Sequence, residues 1–449
     1  MKAIRMGSSL RIAVAVSAAL AMTACLGACL APAASARPDP LIAFPADKQQ
    51  GESAGRFGIA PFAIASSPVT GEVYVVDLGN HRINVFTAWG QFIRAFGWNV
   101  DASDPAEELQ TCTPETGCKK GSSGSGLGQI GEIVGGGITV DPMGNVYVGD
   151  LWASRRIQKF SSTGEFLLAF GGSGTGDGEF STFGTPATSI GTSPDGESVY
   201  VGDRNRIQEF GSDGSFKSEI TFKSLHEQMS VFPETGQILA LVADPNDGEL
   251  HISVSKEVSS EAALPYVFTV DPDSGKLLGE YDSGDLIGQQ GPEMGAPKLI
   301  AVDSDENLYV FNAAGGSGSG LPQLFKFDPV GNLLIPNQGE QEAIKKENEE
   351  INKGFHENPF SRFPDSSATT PLVWGIGTNG GCGTEEDILY IGRGGGSFAY
   401  VEAYGPPPQD TVKCPPPPPG VPEVGSQYAT SVGTDSAVLG AEINPRYAL

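Results

Sequence analysis

One short sentence is written three times along this chain. Residues 73–86 read VYVVDLGNHRINVF, residues 146–160 read VYVGDLWASRRIQKF, and residues 199–210 read VYVGDRNRIQEF. Alternating apolar residues, an Asp, an Arg and a Phe follow in fixed order, which describes a strand, a loop and a second strand. Upstream of two copies lie an apolar stretch and a turn, GGGITVDPMGN (135–145) and TSIGTSPDGES (188–198). Downstream, each copy enters a hairpin with Gly before an aromatic: TAWGQF (87–92), SSTGEF (161–166) and GSDGSF (211–216). Two of these continue into FIRAF (92–96) and FLLAF (166–170). The unit is a four-stranded antiparallel meander of about forty residues, the size and order of a propeller blade.

Three further units are more worn. They run through ILALVADPNDGELHISV (238–254) and YVFTVDPDSGKLLGEY (266–281), through KLIAVDSDENLYVFN (298–312) and QLFKFDPVGNLLI (323–335), and through PLVWGIG (371–377), ILYIGR (388–393) and AYVEAYG (399–405). Turns such as DPMGN, SPDGE, DPNDG, DSDEN and DPVGN share one chemistry. Asp or Ser opens the turn by a side-chain hydrogen bond, Pro presets φ, and Gly or Asn accepts positive φ. The sixth unit supplies only three strands, and LIAF (41–44) matches FIRAF and FLLAF. The expected fold is therefore all-β, a six-bladed β-propeller in which Leu41–Phe44 completes the last blade and removes two bare sheet edges. GESAGRF (51–57), GSGLGQI (124–130) and GTGDGEF (174–180) each carry the chain from an outer strand to the next inner one.

With 61 Gly and 33 Pro spread over 449 residues, composition favours many short strands. The net charge of −26 and the lack of a Lys/Arg cluster argue against nucleic-acid binding. Lys2, Arg5 and Arg11 precede the apolar stretch 12–22, and Ala34-Ser35-Ala36 makes a cleavage site, so residues 1–36 read as a signal peptide. A competing reading is a lipid anchor through Cys25 or Cys29. Cleavage after Ala36 leaves four cysteines, Cys112, Cys118, Cys382 and Cys414, and an even number suits disulfides in a secreted protein. Proximity favours pairing 112 with 118 and 382 with 414. No later segment reads as a transmembrane span.

VDLGNHRINVF, GITVDPMGNVYVGD with RRIQKF, and YVGDRNRIQEF resemble the NHL-repeat proteins over residues 41–405. That resemblance implies a β-propeller, commonly six-bladed, and leaves function open. Its relatives include ligase-associated domains and extracellular enzymes. The leading expectation is an exported binding scaffold for a protein or glycan partner. The alternative is a cation-dependent hydrolase or lyase of the gluconolactonase-like or amidating-lyase-like type.

The repeat residues Asp77, Arg82, Phe86, Asp150, Arg156, Phe160, Asp203, Arg206 and Phe210 recur blade after blade, which favours structural work. Asp is expected to cap the loop after the second strand, with Arg pairing to a carboxylate. The histidines, His81, His226, His251 and His356, show no metal-ligand spacing. No catalytic residue, metal ligand or cofactor is assigned, although the abundant carboxylates would suit Ca2+. DPDSGK (271–276) reads as a hairpin turn. Residues 338–360 read as a surface helix with Glu342–Lys346 and Glu349–Lys353 pairs. Residues 37–405 thus form the propeller, 406–424 a Pro-rich linker, and 425–449 the start of a β-sandwich-like domain that resembles fibronectin type III. Expressed in an exporting host, the mature protein should begin at Arg37, as read by N-terminal sequencing; a start at a lipidated Cys25 or Cys29 would establish the anchor instead.

Overall fold

A computed structural model describes residues 42–131, 137–150, 154–181, 189–230, 232–256, 266–281, 297–312, 323–335, 372–379, 387–405, 423–430 and 438–444. Six antiparallel sheets form a six-bladed β-propeller. Blade 1 holds β2 (Pro61–Ser66), β3 (Val73–Asp77), β4 (Arg82–Phe86), β5 (Phe92–Trp98) and β6 (Leu109–Cys112). Blade 2 holds β7 (Ile138–Val140), β8 (Val146–Asp150), β9 (Arg156–Phe160) and β10 (Phe166–Gly171). Blade 3 is β11 (Ile190–Thr192), β12 (Ser198–Asp203), β13 (Arg206–Gly211) and β14 (Phe216–Thr221). Blade 4 is β15 (Gly236–Ala243), β16 (Leu250–Lys256), β17 (Tyr266–Asp271) and β18 (Lys276–Tyr281). Blade 5 is β19 (Pro297–Val302), β20 (Leu308–Asn312), β21 (Gln323–Phe327) and β22 (Leu333–Ile335). Blade 6 is β23 (Leu372–Thr378), β24 (Leu389–Gly395), β25 (Phe398–Tyr404) and, as its outer strand, β1 (Ile42–Phe44).

The first strands of the blades, β2, β7, β11, β15, β19 and β23, touch one another in a closed circle. Closure falls where LIAF placed it: β1 pairs antiparallel with β25, Ile42 opposite Ala403 and Phe44 opposite Val401. Phe44 is 3% exposed and lies 4.8 Å from the Phe86 ring and 6.5 Å from Tyr390. Phe96 and Phe170 hold the same place one and two blades on, 5.4 Å from Phe160 and 4.8 Å from Phe210. The hairpin glycines explain the Gly-aromatic pattern. Gly90, Gly164 and Gly214 have φ of +72°, +93° and +83°, and a Cβ on each would strike Phe44, Phe96 and Phe170 respectively. Each glycine both makes its turn and seats the preceding blade's phenylalanine.

Two elements depart from expectation. The segment leading into CTPETGC forms β6, a fifth strand on blade 1, and the buried Cys112 and Cys118 flank the exposed Pro114, Glu115 and Thr116. A seven-residue helix, α1 (Phe222–Gln228), capped by the Thr221 hydroxyl, leads from blade 3 to blade 4 and buries Phe222 and Leu225. Beyond the ring, β26 (Glu423–Thr430) and β27 (Val438–Asn444) pair antiparallel, so strand structure starts two residues before the expected boundary at 425. The leader, the 338–360 insertion, Cys382 and Cys414 lie outside the described residues. No helix among the described residues is long and apolar enough to cross a membrane.

Phe44→Ala should destabilise the protein by about 3 kcal/mol, the usual loss for a buried phenylalanine, read as a lower urea midpoint. A wild-type midpoint would mean that β1 does not hold the ring.

Candidate functional site

The repeated Asp and Arg meet inside the blades. Asp77 and Arg82 are both 0% exposed and pair at 3.4 Å. The Arg82 guanidinium donates to four backbone carbonyls, those of Glu52 (2.7 Å), Ser53 (2.9 Å), Arg56 (2.9 Å) and Lys119 (3.0 Å). Three of these belong to the GESAGRF loop. Asn84 Nδ2 adds a bond to Arg56 O at 3.1 Å, while Asp77 accepts from Gly58 N at 2.9 Å. Burial pushes the Asp77 carboxyl up from its ordinary range and the Arg82 guanidinium down, and each charge is the main compensation for the other.

Blades 2 and 3 repeat the device. Arg156 bonds Asp150 at 3.0 Å and the carbonyls of Ser125, Gly126 and Gln129 in the GSGLGQI loop. Arg206 bonds Asp203 at 3.1 Å and the carbonyls of Gly176 and Glu179 in GTGDGEF. Gln158 and Gln208 stand in register with Asn84 and bind the same loops, to Gln129 O at 2.7 Å and Glu179 O at 2.8 Å. The three Asp–Arg sets therefore latch the inter-blade loops and stay apart, one per blade. Each loop ends in a buried plug, Phe57, Ile130 or Phe180. Phe57 and Phe180 pack 5.7 Å from Phe86 and Phe210, so those repeat phenylalanines join loop, hairpin and neighbouring blade.

Cys112 and Cys118 are bonded, with Cα atoms 5.4 Å apart. The histidines stay separate. His81 takes a left-handed φ of +50° between β3 and β4, and His226 Nδ1 lies 2.7 Å from Phe232 O. His251 is buried in β16, and His356 lies outside the described residues. No three His, Cys, Asp or Glu side chains converge as metal ligands among the described residues.

All six inner strands line the axial cavity at the mouth formed by the first turns of the blades. Its walls are aliphatic, from residues such as Ile64, Val140, Leu241 and Val302, and its rim carries Pro68, Pro142, Pro194 and Pro245. Ser, Thr, Gly and Asn379 complete it, so the described lining contains no carboxylate, histidine or basic group. Its polar groups are neutral, the hydroxyls of Ser and Thr and the amide of Asn379. The segments entering β7, β11, β19 and β23 at the opposite end (132–136, 182–188, 291–296 and 371) lie outside the described residues.

Sequence reading passed over one row of side chains. The tyrosine of VYV recurs at one register position as Tyr74, Tyr147, Tyr200, Tyr309 and Tyr390, and blade 4 places His251 there. The signal was present as LHI in place of VYV or LYV.

The class defined by this geometry is a six-bladed propeller with loops latched by buried ion pairs and an uncharged described mouth. No protein-family description matches the chain, and no curated protein does either. Among solved structures it is similar to a protein of unknown function from Bacteroides caccae, with 14% identity and a TM-score of 0.36 over 61% of this chain and 80% of that one. It is similar to Kuenenia stuttgartiensis hydrazine synthase, with 13% identity and a TM-score of 0.40 over 74% and 92%. A gluconolactonase from Xanthomonas campestris gives 13% and 0.39 over 80% and 88%. At this level of likeness nothing of their activities passes to this chain.

Replacing Arg82 by Met should cost about 3 kcal/mol or more in urea unfolding, because it strands a buried carboxylate and four carbonyls. The same change at Arg206, whose side chain is 12% exposed, should cost less. Wild-type midpoints for both variants would refute the latch.

Proposed function

We propose that this chain is an exported NHL-type propeller that acts as a binding scaffold for a protein or glycan partner. The observation that carries the reading is the described axial lining, which is aliphatic, prolyl and hydroxylic, without an ionisable group. Chemistry at that mouth would need convergent carboxylates or amides. The repeated Asp and Arg are spent on the latches, and a resident cofactor forms no part of this reading. The buried Cys112–Cys118 bond fits an oxidising compartment, in keeping with removal of residues 1–36. Residues 406–424 would act as a semi-rigid spacer between the ring at 37–405 and a sandwich-like tail at 425–449.

The mature chain, immobilised and presented with glycan arrays and candidate surface proteins, should bind a partner while hydrolysing no lactone or ester. Native mass spectrometry should give the mass of the protein alone. Cation-dependent turnover of a lactone, with a retained metal in the native mass, would replace this reading with the hydrolase.

A further inference from the structure

Because the blades repeat, each is a reference for the others, and blade 4 departs at one place. Three blades open their first turn with Asp: Asp141, Asp244 and Asp303. In blades 2 and 5 that carboxylate is satisfied from within. Asp141 accepts from Asn145 Nδ2 at 2.8 Å and from the Tyr147 hydroxyl at 3.3 Å. Asp303 accepts from Asn307 Nδ2 at 2.9 Å and Tyr309 at 3.2 Å, and the Lys326 ammonium stands 3.2 Å away. Lys326 and Lys159 share one register position, their ammonium groups 4.8 Å and 5.2 Å from the Tyr309 and Tyr147 ring centres.

Blade 4 replaces all three supporting groups. Glu249 holds the turn position of Asn145 and Asn307, its carbonyl accepting from the Asp244 N–H as theirs do from Asp141 and Asp303. His251 replaces the tyrosine and Thr269 the lysine, with Gly279 beside Thr269 on β18. A Cβ on Gly279 would meet nothing within 4 Å. The space that a lysine fills in blades 2 and 5 is here a cavity of about 260 Å³ between blades 4 and 5.

Asp244 and His251 line this cavity, 2% and 4% exposed. Asp244 Oδ1 accepts from Asn246 N at 2.8 Å. Asp244 Oδ2 has no hydrogen-bond donor among the described residues; His251 Nε2 is 4.0 Å from it, also without a hydrogen bond. His251 Nδ1 contacts Thr269 Oγ1 at 3.1 Å. Burial, reinforced by Asp247, pushes the Glu249 carboxyl above its ordinary range. Tyr281 stands edge-on to His251 at 5.6 Å, and Leu278 and Val330 form an exposed apolar rim.

A buried carboxylate with one oxygen left without a donor among the described residues calls for a cation. We propose that this cavity binds the terminal ammonium of a lysine-like alkylamine, supplied from outside where blades 2 and 5 supply their own lysine. The ammonium brings three donors to Asp244 and Glu249, the Tyr281 wall favours a cation, and the rim takes the alkyl stem. The proposal rests on the scaffold reading only in giving the amine to a partner's lysine; affinity for a free amine stands or falls separately.

The test is calorimetric titration of the mature chain with N-acetyl-lysine methylamide, cadaverine and, as uncharged control, N-acetyl-norleucine methylamide. The two amines should bind at one site per chain and the control should not. Asp244→Asn should weaken binding about tenfold or more, a loss of 1.4 kcal/mol per decade. Thr269→Lys, which restores the sister-blade lysine, should abolish binding and raise the melting temperature, which also reports that the variant is folded. Absence of amine binding by the wild type, undiminished binding by Thr269→Lys, or uptake of Zn2+ or Ca2+ without any amine affinity would each overturn the proposal.

Discussion

A ring of sheets is stable only if it closes, and this one closes through the three-residue strand β1 and the segment after it, where Lys48, Gln49 and Gln50 bond to the Ser397–Ala399 backbone of blade 6. The ladder from Ile42 to Phe44 on β25 is short, and the Lys48–Glu402 ion pair at 3.5 Å and the Gln49–Phe398 bridge extend it. What it carries is Phe44, buried against Phe86 of blade 1 and Tyr390 of blade 6. This is the same aromatic joint that Phe96 and Phe170 make between later blades. Closure therefore reuses the repeat's own contact, with the first and last strands of the ring interleaved in one sheet. Opening the ring means withdrawing a strand from the last blade and a phenylalanine from its core together.

The sequence announced blades 1 to 3 loudly and blades 4 to 6 faintly, and the latches explain the difference. In the first three, the loop carbonyls are held by Arg82, Arg156 and Arg206 with Asn84, Gln158 and Gln208. These polar residues stand out in an apolar strand. In blade 4 the register position of Asn84 holds Phe268, which packs 4.8 Å from Phe232, and in blade 5 it holds Phe325. In blade 4 this apolar plug fastens the inter-blade segment by burial, whereas blade 6 keeps a polar residue at that position, Glu402, paired with Arg393. The fold was legible because alternation and turn chemistry survive this exchange; the particular fastening was not.

What escaped the sequence altogether shares a physical cause. Helix α1 is too short to form alone and exists because Phe222 and Leu225 reach the blade 4 core. Strand β6 adds to an already complete blade because Gln110, Thr111 and Cys112 pair with β5, and the disulfide ties it to Cys118, which bridges to Asp101. Neither has a local pattern strong enough to be read without its tertiary partner. The blade 4 cavity is a different case. Its residues Asp244, Glu249, His251 and Thr269 are ordinary one at a time, and only the register of six blades makes them exceptional.

That contrast bears on where function can lie in such a scaffold. A contact repeated between blades is constrained by the ring, and its residues are occupied: Asp77 by Gly58, Asn80, Asn84 and Arg82, and Asp303 by Asn307, Tyr309 and Lys326. A ligand must find groups that the fold does not consume. The first-turn mouth offers none that can ionise among its described residues. In blade 4 the three residues that would neutralise the turn carboxylate are exchanged together, for Glu, His and Thr, and none of the exchanges fills the space left by lysine. Loss of packing alone would account for the missing lysine; it does not account for a second carboxylate placed where two sister blades keep an amide. A second carboxylate, half-buried Glu249, set beside the buried Asp244 lowers stability unless a cation completes the pair, so the exchanges in blade 4 are those that an amine site would need.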